Sequence, residues 1–178
     1  GVPKEIKNKE NRVGMVVGGV RTLTQSGHKV VVQQGAGQGV GISDEDYRKA
    51  GATILGTAKE VYEKSEMIVK VKEPLPEEYP LLRENQILYT YLHLAADERL
   101  TKALMERKIV GIAYETIQLS DGSLPLLAPM SAVAGRMATQ IGATYLQHDH
   151  GGKGMLLGGV TGFGEESIIL HADDAHPV

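Results

Sequence analysis

Five short apolar runs, separated by stretches that read as helices, constrain this chain more than any other feature. They are "KVVVQ" (29–33), "ATIL" (52–55), "MIVKV" (67–71), "QILYTYL" (86–92) and "IVGIAY" (109–114). Rich in Val, Ile and Leu, they suit strands buried on both faces. Between them, Ser43 precedes "DEDYRKAG" with Asp46 three residues on, a capping box with Asp in place of Glu, and Gly51 stands where a C-terminal cap belongs. Asp97 precedes "ERLTKALMERK", which is apolar at Leu100, Ala103 and Leu104. Strand–helix alternation of this kind predicts an α/β fold with a parallel sheet and right-handed crossovers.

A longer helix is expected next, opened by Pro129 and continued by "SAVAGRMATQIGATYLQ" (131–147). Its small residues Ala134, Gly135, Ala138, Gly142 and Ala143 admit another backbone at close range. Tight packing inside one domain would explain them, and so would a helix running between two. The glycine-rich "GGKGMLLGGVTGFGEE" follows, then "SIIL" (167–170), a further strand, and the polar tail "HADDAHPV". Composition shifts over 129–150, so the expected division is 1–128, a connecting helix at 129–147, and a second unit from 148 to 178.

Bulk properties narrow the function classes. A net charge of -3 gives no basic footprint for nucleic acid or a membrane surface. With no cysteine there is no disulfide, thiolate metal site or cysteine nucleophile, which suits a cytoplasmic protein. No apolar run approaches the roughly 18 residues of a spanning helix.

Several motifs invite chemistry. "GAGQGVG" (35–41) follows a strand, but Val40 stands where a dinucleotide fingerprint needs glycine, and "ISDEDY" intervenes before the helix. A plain loop is the expectation there. "GGKG" (151–154) lacks the Gly-Lys-Ser/Thr ending of a phosphate loop. His148 and His150 have no further ligand at a familiar spacing, so no metal is expected and "DHGG" reads as an exposed turn. Arg12, Lys72 and His93 are placed differently: each follows a separate strand. Open parallel sheets bind ligands beyond the carboxyl ends of their strands. Arg grips a carboxylate with two hydrogen bonds, Lys adds a point charge, and His transfers protons near neutral pH. Taken singly, each also fits a solvated surface position; their shared strand-end placement is what suggests a site for a small keto or amino acid.

The segments "GVPKEIKNKENRV", "GHKVVVQQGAGQGVGISDEDYRKAGA", "MIVKVKEP", "YTYLHLA", "IAYETI", "LPLLAPMSAVAGRMATQIGA" and "GGKGMLLGGV" resemble, in order, the alanine dehydrogenases; the related transhydrogenases share the fold and the "GVPKE" start, but "LPLLAPMS" and "GGKGMLLGGV" look like alanine dehydrogenase. That resemblance implies a flavodoxin-like substrate domain, a connecting helix and the start of a Rossmann domain. It implies NAD-dependent interconversion of L-alanine with pyruvate and ammonium, and assembly into dimers or hexamers. Arg12 matches the family's carboxylate-binding arginine, Lys72 its substrate-binding lysine and His93 its acid/base histidine. Glu115 and Met130 match positions lining the substrate, and Ser131 a cofactor-contacting serine.

The sequence departs from the family twice. Where the family continues after the arginine with a polar residue and proline ahead of its first helix, this chain has Val16 and Val17, removing an N-cap side chain and a first-turn proline. The loop carrying Arg12 is expected to be less fixed for it. After "SIIL", "HADDAHPV" stands where the family's NAD-binding glycines belong. The resemblance therefore implies a substrate half without its cofactor domain, inactive alone and binding no NAD. A non-catalytic carboxylate-binding or assembly protein, or a transhydrogenase-like domain, is the alternative.

Overall fold

The computed structural model describes residues 1–157 of the 178. The expected strand at 167–170 and the tail beyond it lie outside the described residues. Two compact units divide the chain, Gly1–Ile117 and the residues from Gln118 onward.

All five expected strands of the first unit form: β1 (Val31–Gln33), β2 (Thr53–Leu55), β3 (Met67–Val69), β4 (Ile87–Thr90) and β5 (Val110–Ala113). β1 pairs with β2, and β3 with β4 and β4 with β5, all parallel. The N-terminal segment joins the two sets. Val2 bridges Val32 in parallel, while Gly1 donates to Met67 O and accepts from Val69 N. The spatial order is therefore β2, β1, N-terminal segment, β3, β4, β5. Counted with that segment as the first strand, this is the doubly wound order 3-2-1-4-5-6. Its topological switch point falls between the N-terminal segment and β3. Lys72 follows β3 closely, whereas Arg12 comes after a turn closed by Glu10 N to Lys7 O.

The helices follow their local signals. In α2 (Asp44–Lys49) the Ser43 side chain accepts from Asp46 N while the Asp46 carboxylate accepts from Ser43 N, the reciprocal box expected. Gly51 ends that helix at φ +96, a left-handed conformation that a Cβ would oppose. Thr57 and Glu60 make the same box at α3 (Ala58–Lys64). Asp97 caps α4 (Glu98–Glu106) through Leu100 N. By contrast α1 (Val17–Gln25) has Val16 at its N-cap and no side-chain cap bond. Val16 and Val17 thus occupy the cap and the first helical position, where the family's pattern has its polar residue and proline.

Two apolar clusters hold the unit. One packs Val20 of α1 and Tyr47 of α2 against Val2 and Val32; the other packs Tyr62, Leu100 and Leu104 against Ile68 and Leu88. β5 departs from the expected burial on both faces: Val110 is 46% exposed and none of its residues is buried, because β4 covers one edge only.

The second unit contains α5 (Ala128–Leu146), the expected long helix, with Pro129 in its first turn. None of its residues is buried. A 3-10 turn, His148–His150, then ends at Gly151 with φ +82, so "DHGG" is the exposed turn anticipated. Among the described residues no helix is long and apolar enough to cross a membrane.

Candidate functional site: a cationic cluster at the switch point

Arg12 reaches the switch point on a loop with no regular structure, yet the loop is held at three places. A Cβ added to Gly39 would meet Asn11 O at 2.4 Å, and one added to Gly14 would meet Val69 O at 2.5 Å. Only glycine permits backbone to pass this close. The Tyr47 hydroxyl donates to Met15 O at 2.8 Å. "GAGQGVG" is thus neither a nucleotide fingerprint nor a slack loop. It forms a 3-10 turn, Gln38–Val40, packed under the Arg12 loop. These contacts offset the missing α1 cap, and the loop is not left loose.

Glu10 grips the arginine. Its Oε1 accepts from Arg12 Nε at 2.9 Å and its Oε2 from Nη2 at 2.7 Å, while Oε1 also accepts the Arg12 backbone N–H at 2.9 Å. The Glu10 side chain is only 7% exposed, against 45% for Arg12. The hydrogen bonds from the Arg12 side chain hold the Glu10 carboxyl below the ordinary carboxylate range; burial opposes them, and the nearby Lys72 charge adds to the lowering. Lys72 and Arg12 therefore share one electrostatic neighbourhood.

Lys72 is fixed from both sides of its strand. β3 and β4 stay paired beyond their formal ends, through Lys70 N to Tyr89 O and Tyr91 N to Val71 O, and Thr90 Oγ1 donates to Lys72 O at 2.9 Å. Beneath it, Lys70 is fully buried. Its Nζ lies 2.8 Å from Glu78 Oε1 and 3.4 Å from Glu5 Oε2, and the Tyr62 hydroxyl donates to the same Glu78 oxygen. Glu5 Oε1 accepts Val71 N at 2.6 Å. Burial pushes the Glu5 carboxyl up, against the pull of Lys70. A buried triad of one cation and two carboxylates thus ties the N-terminal segment, which leads to Arg12, to the strand that leads to Lys72.

His93 leaves β4 in a left-handed conformation, φ 48. Glu115, just after β5, makes this turn possible: its carboxylate accepts the backbone N–H of Leu92 at 3.0 Å and of His93 at 2.7 Å. The Tyr91 ring stacks on the imidazole with centroids 6.0 Å apart, and Tyr114 meets Tyr91 edge-on at 4.9 Å. Burial raises the Tyr91 phenol above its usual range, Arg12 opposes this and Glu115 adds to it. Arg12, Tyr91, His93 and Glu115 are thereby linked, and Glu10 links Arg12 to Lys72.

Sequence reasoning passed over Glu10, Tyr91 and the Lys70 triad. Tyr91 had a signal, an aromatic two residues before the candidate His93 at the end of an apolar run. Lys70 had one too, a cation inside an apolar run. Glu10 had none beyond lying two residues from Arg12.

Met130 and Ser131 lie in the first turn of α5, both exposed. The backbone N–H groups of Ala128, Met130 and Ser131 donate to Leu124 O, Leu127 O and Leu127 O, and Pro129 has none. This helix start leaves no N–H among those residues for a pyrophosphate. The 35–41 glycines are likewise committed to the Arg12 loop, so neither this helix start nor that loop presents a row of free N–H groups to a pyrophosphate.

Two cations that act on one carboxylate, with an imidazole on the next strand end, can orient a small carboxylate and exchange a proton with a bound molecule. The comparisons bear on the family. The family model "Alanine dehydrogenase/PNT, N-terminal domain" matches residues 1–134. An alanine dehydrogenase of Methanococcus maripaludis is 59% identical over 170 residues, covering 96% of this chain and 46% of the relative. One from Staphylococcus haemolyticus is 56% identical over 171 residues, covering 95% and 46%. A solved L-alanine dehydrogenase aligns with TM-score 0.81 and 54% identity over 91% of this chain and 45% of that one. The transhydrogenase from Sinorhizobium meliloti aligns at 0.70 and 28%, over 81% and 41%. The chain spans about half the length of the relatives it matches. The sheet order, the strand-end cations and a family match running from Gly1 into α5 lead to one conclusion: this chain belongs to the alanine dehydrogenase/PNT family, whose N-terminal domain it carries.

Proposed function

We infer that this chain is the substrate-binding part of an NAD-dependent L-alanine dehydrogenase, which interconverts L-alanine with pyruvate and ammonium in the cytoplasm. What supports the reading is that Glu10, which grips Arg12 with both carboxylate oxygens, also feels the charge of Lys72 at the end of β3. Arg12 binds the substrate carboxylate and Lys72 polarises the carbonyl or imine. His93 exchanges a proton as water adds and ammonia departs. Glu115 shapes the His93 turn, and Tyr91 fixes the imidazole plane. Met130 and Ser131 serve the substrate and the cofactor side in the whole protein.

These residues account for substrate binding and proton transfer only. Because "HADDAHPV" stands where the family's NAD-binding glycines belong, a polypeptide of these 178 residues is expected to oxidise alanine with no measurable turnover. Self-association, as a dimer or hexamer, is supported by the exposed apolar residues Val133, Met137, Ile141 and Tyr145 along α5. The transhydrogenase likeness keeps a second reading, a transhydrogenase-like domain; a non-catalytic carboxylate-binding or assembly protein derived from the family is the other alternative.

Calorimetry with pyruvate tests the reading. Binding in the millimolar range is expected, about 4 kcal/mol, weakening as salt screens the two cations. No binding, or binding indifferent to salt, would contradict it.

A further inference from the structure

We propose that Glu10 sets the charge selectivity of this site, making it one for acids with a single carboxylate. The proposal rests on the reading of Arg12 and Lys72 as a small-carboxylate site. Its starting point is that a nearly buried carboxylate stands inside a site meant for an anion. Glu10 engages the Nε and Nη2 edge of the guanidinium with both oxygens, and its side chain is 7% exposed. It also feels Lys72. The two-oxygen grip anchors Arg12, and an amide would supply only one of its acceptors. The charge that comes with that grip also acts on whatever enters the site.

The charge count shows what. Arg12 and Lys72 supply two positive charges; Glu10 and Glu115, whose fields reach Arg12 and Tyr91, supply two negative ones, and the buried triad of Lys70, Glu5 and Glu78, whose Glu5 also acts on Arg12, adds no positive surplus. The set therefore holds no net positive charge. One ligand carboxylate held by Arg12 leaves it negative. A second ligand carboxylate would find no unneutralised cation in this set and would face two fixed carboxylates. Like charges within several ångströms in a partly desolvated place repel appreciably. Rejection of the second carboxylate is then built into the same residue that holds Arg12 in register, and it acts before any side-chain pocket is consulted.

The test compares two five-carbon acids of matched length, 2-oxovalerate with one carboxylate and 2-oxoglutarate with two, beside pyruvate, by calorimetry on the full chain. Glu10→Gln keeps an oxygen for Arg12 Nε and removes the charge. It is expected to raise the affinity for 2-oxoglutarate relative to 2-oxovalerate by at least about threefold, the scale of one partly screened charge. That gain should vanish near 1 M salt, where the screening length is about 3 Å. Glu10→Asp keeps the charge and shortens the reach, so it should weaken all ligands while keeping the preference. If Glu10→Gln does not fold, the wild-type chain still decides the matter: its preference for 2-oxovalerate should shrink as salt rises. Equal loss for both acids in Glu10→Gln, or a wild-type preference unmoved by salt, would overturn the selectivity role and leave Glu10 a positioning residue. Failure of the wild-type chain to bind pyruvate at all would overturn the carboxylate-site reading itself.

Discussion

The Glu115 carboxylate accepts the His93 backbone N–H at 2.7 Å and so closes a turn that His93 makes at φ 48. Two elements are joined by this contact, because Glu115 follows β5 and His93 follows β4. Glu115→Ala leaves two N–H groups without their charged acceptor and should cost about 1.5–3 kcal/mol, read as a lower urea midpoint. Glu115→Gln keeps one acceptor and should cost less. His93→Asn should be nearly neutral for folding, since Asn tolerates the left-handed region. A loss from His93→Asn as large as that from Glu115→Ala would show that the imidazole, not the turn, holds the structure.

The buried triad predicts an asymmetry. Lys70→Met strands Glu5 and Glu78 without their cation and should cost about 3–5 kcal/mol. Glu5→Gln leaves the Lys70–Glu78 pair intact and keeps an acceptor for Val71 N, so it should cost under about 1 kcal/mol. The pH dependence follows from the direction of the shift. Burial raises the Glu5 carboxyl in the folded state, and Lys70 opposes that rise. With Lys70 gone the folded value climbs further. A carboxyl that holds its proton more tightly when folded makes stability fall as pH rises from the unfolded value, about 4.3, through the folded one. Lys70→Met should therefore be closest to wild type in acid and lose ground toward neutrality. A deficit constant with pH would mean that lost packing, not stranded charge, is the cause.

Glycines at two positions should behave oppositely. Gly39→Ala drives a Cβ against Asn11 O and should cost about 1–3 kcal/mol while weakening pyruvate binding, because Asn11 precedes Arg12. Gly18 lies inside α1 with nothing within 4 Å of an added Cβ. Gly18→Ala should stabilise by about 0.5–1 kcal/mol. Thermal melts and a pyruvate titration on each variant check both statements; a Gly39→Ala chain that binds normally would detach the glycine turn from the site.

Restoring the cap that α1 lacks should help. Val16 is the N-cap and Val17 the first helical residue. Val16→Ser supplies an acceptor for a free N–H of the first turn and should add about 1 kcal/mol. An unchanged melting temperature would show that the Gly39, Gly14 and Tyr47 contacts already fix this helix start.

Much of the fold was legible because buried parallel strands leave contiguous apolar runs and helix starts leave local signals. Ser43 with Asp46, Asp97 and Gly51 all act as their neighbours in sequence imply. What could not be read was set by contacts distant in sequence. The central place of the N-terminal segment depends on Val2 meeting Val32, thirty positions on. The work of "GAGQGVG" depends on Gly39 meeting Asn11. The strand-end rule put Arg12, Lys72 and His93 on one list, but Glu115, which holds the His93 turn, comes from the end of another strand and nothing in the spacing marks it; Glu10 and Tyr91 each stand two residues from the group they touch, and what they do there depends on how the loop and the strand end fold.

The claim that Arg12 receives a substrate carboxylate is tested most directly by titrating pyruvate into the wild-type chain, Arg12→Ala and Arg12→Lys under one low-salt condition. The wild type should bind in the millimolar range. Arg12→Ala should show no binding, and Arg12→Lys should bind measurably more weakly because a point charge cannot reproduce the planar fork. Equal affinity in the wild type and Arg12→Ala would place the carboxylate elsewhere and contradict the account.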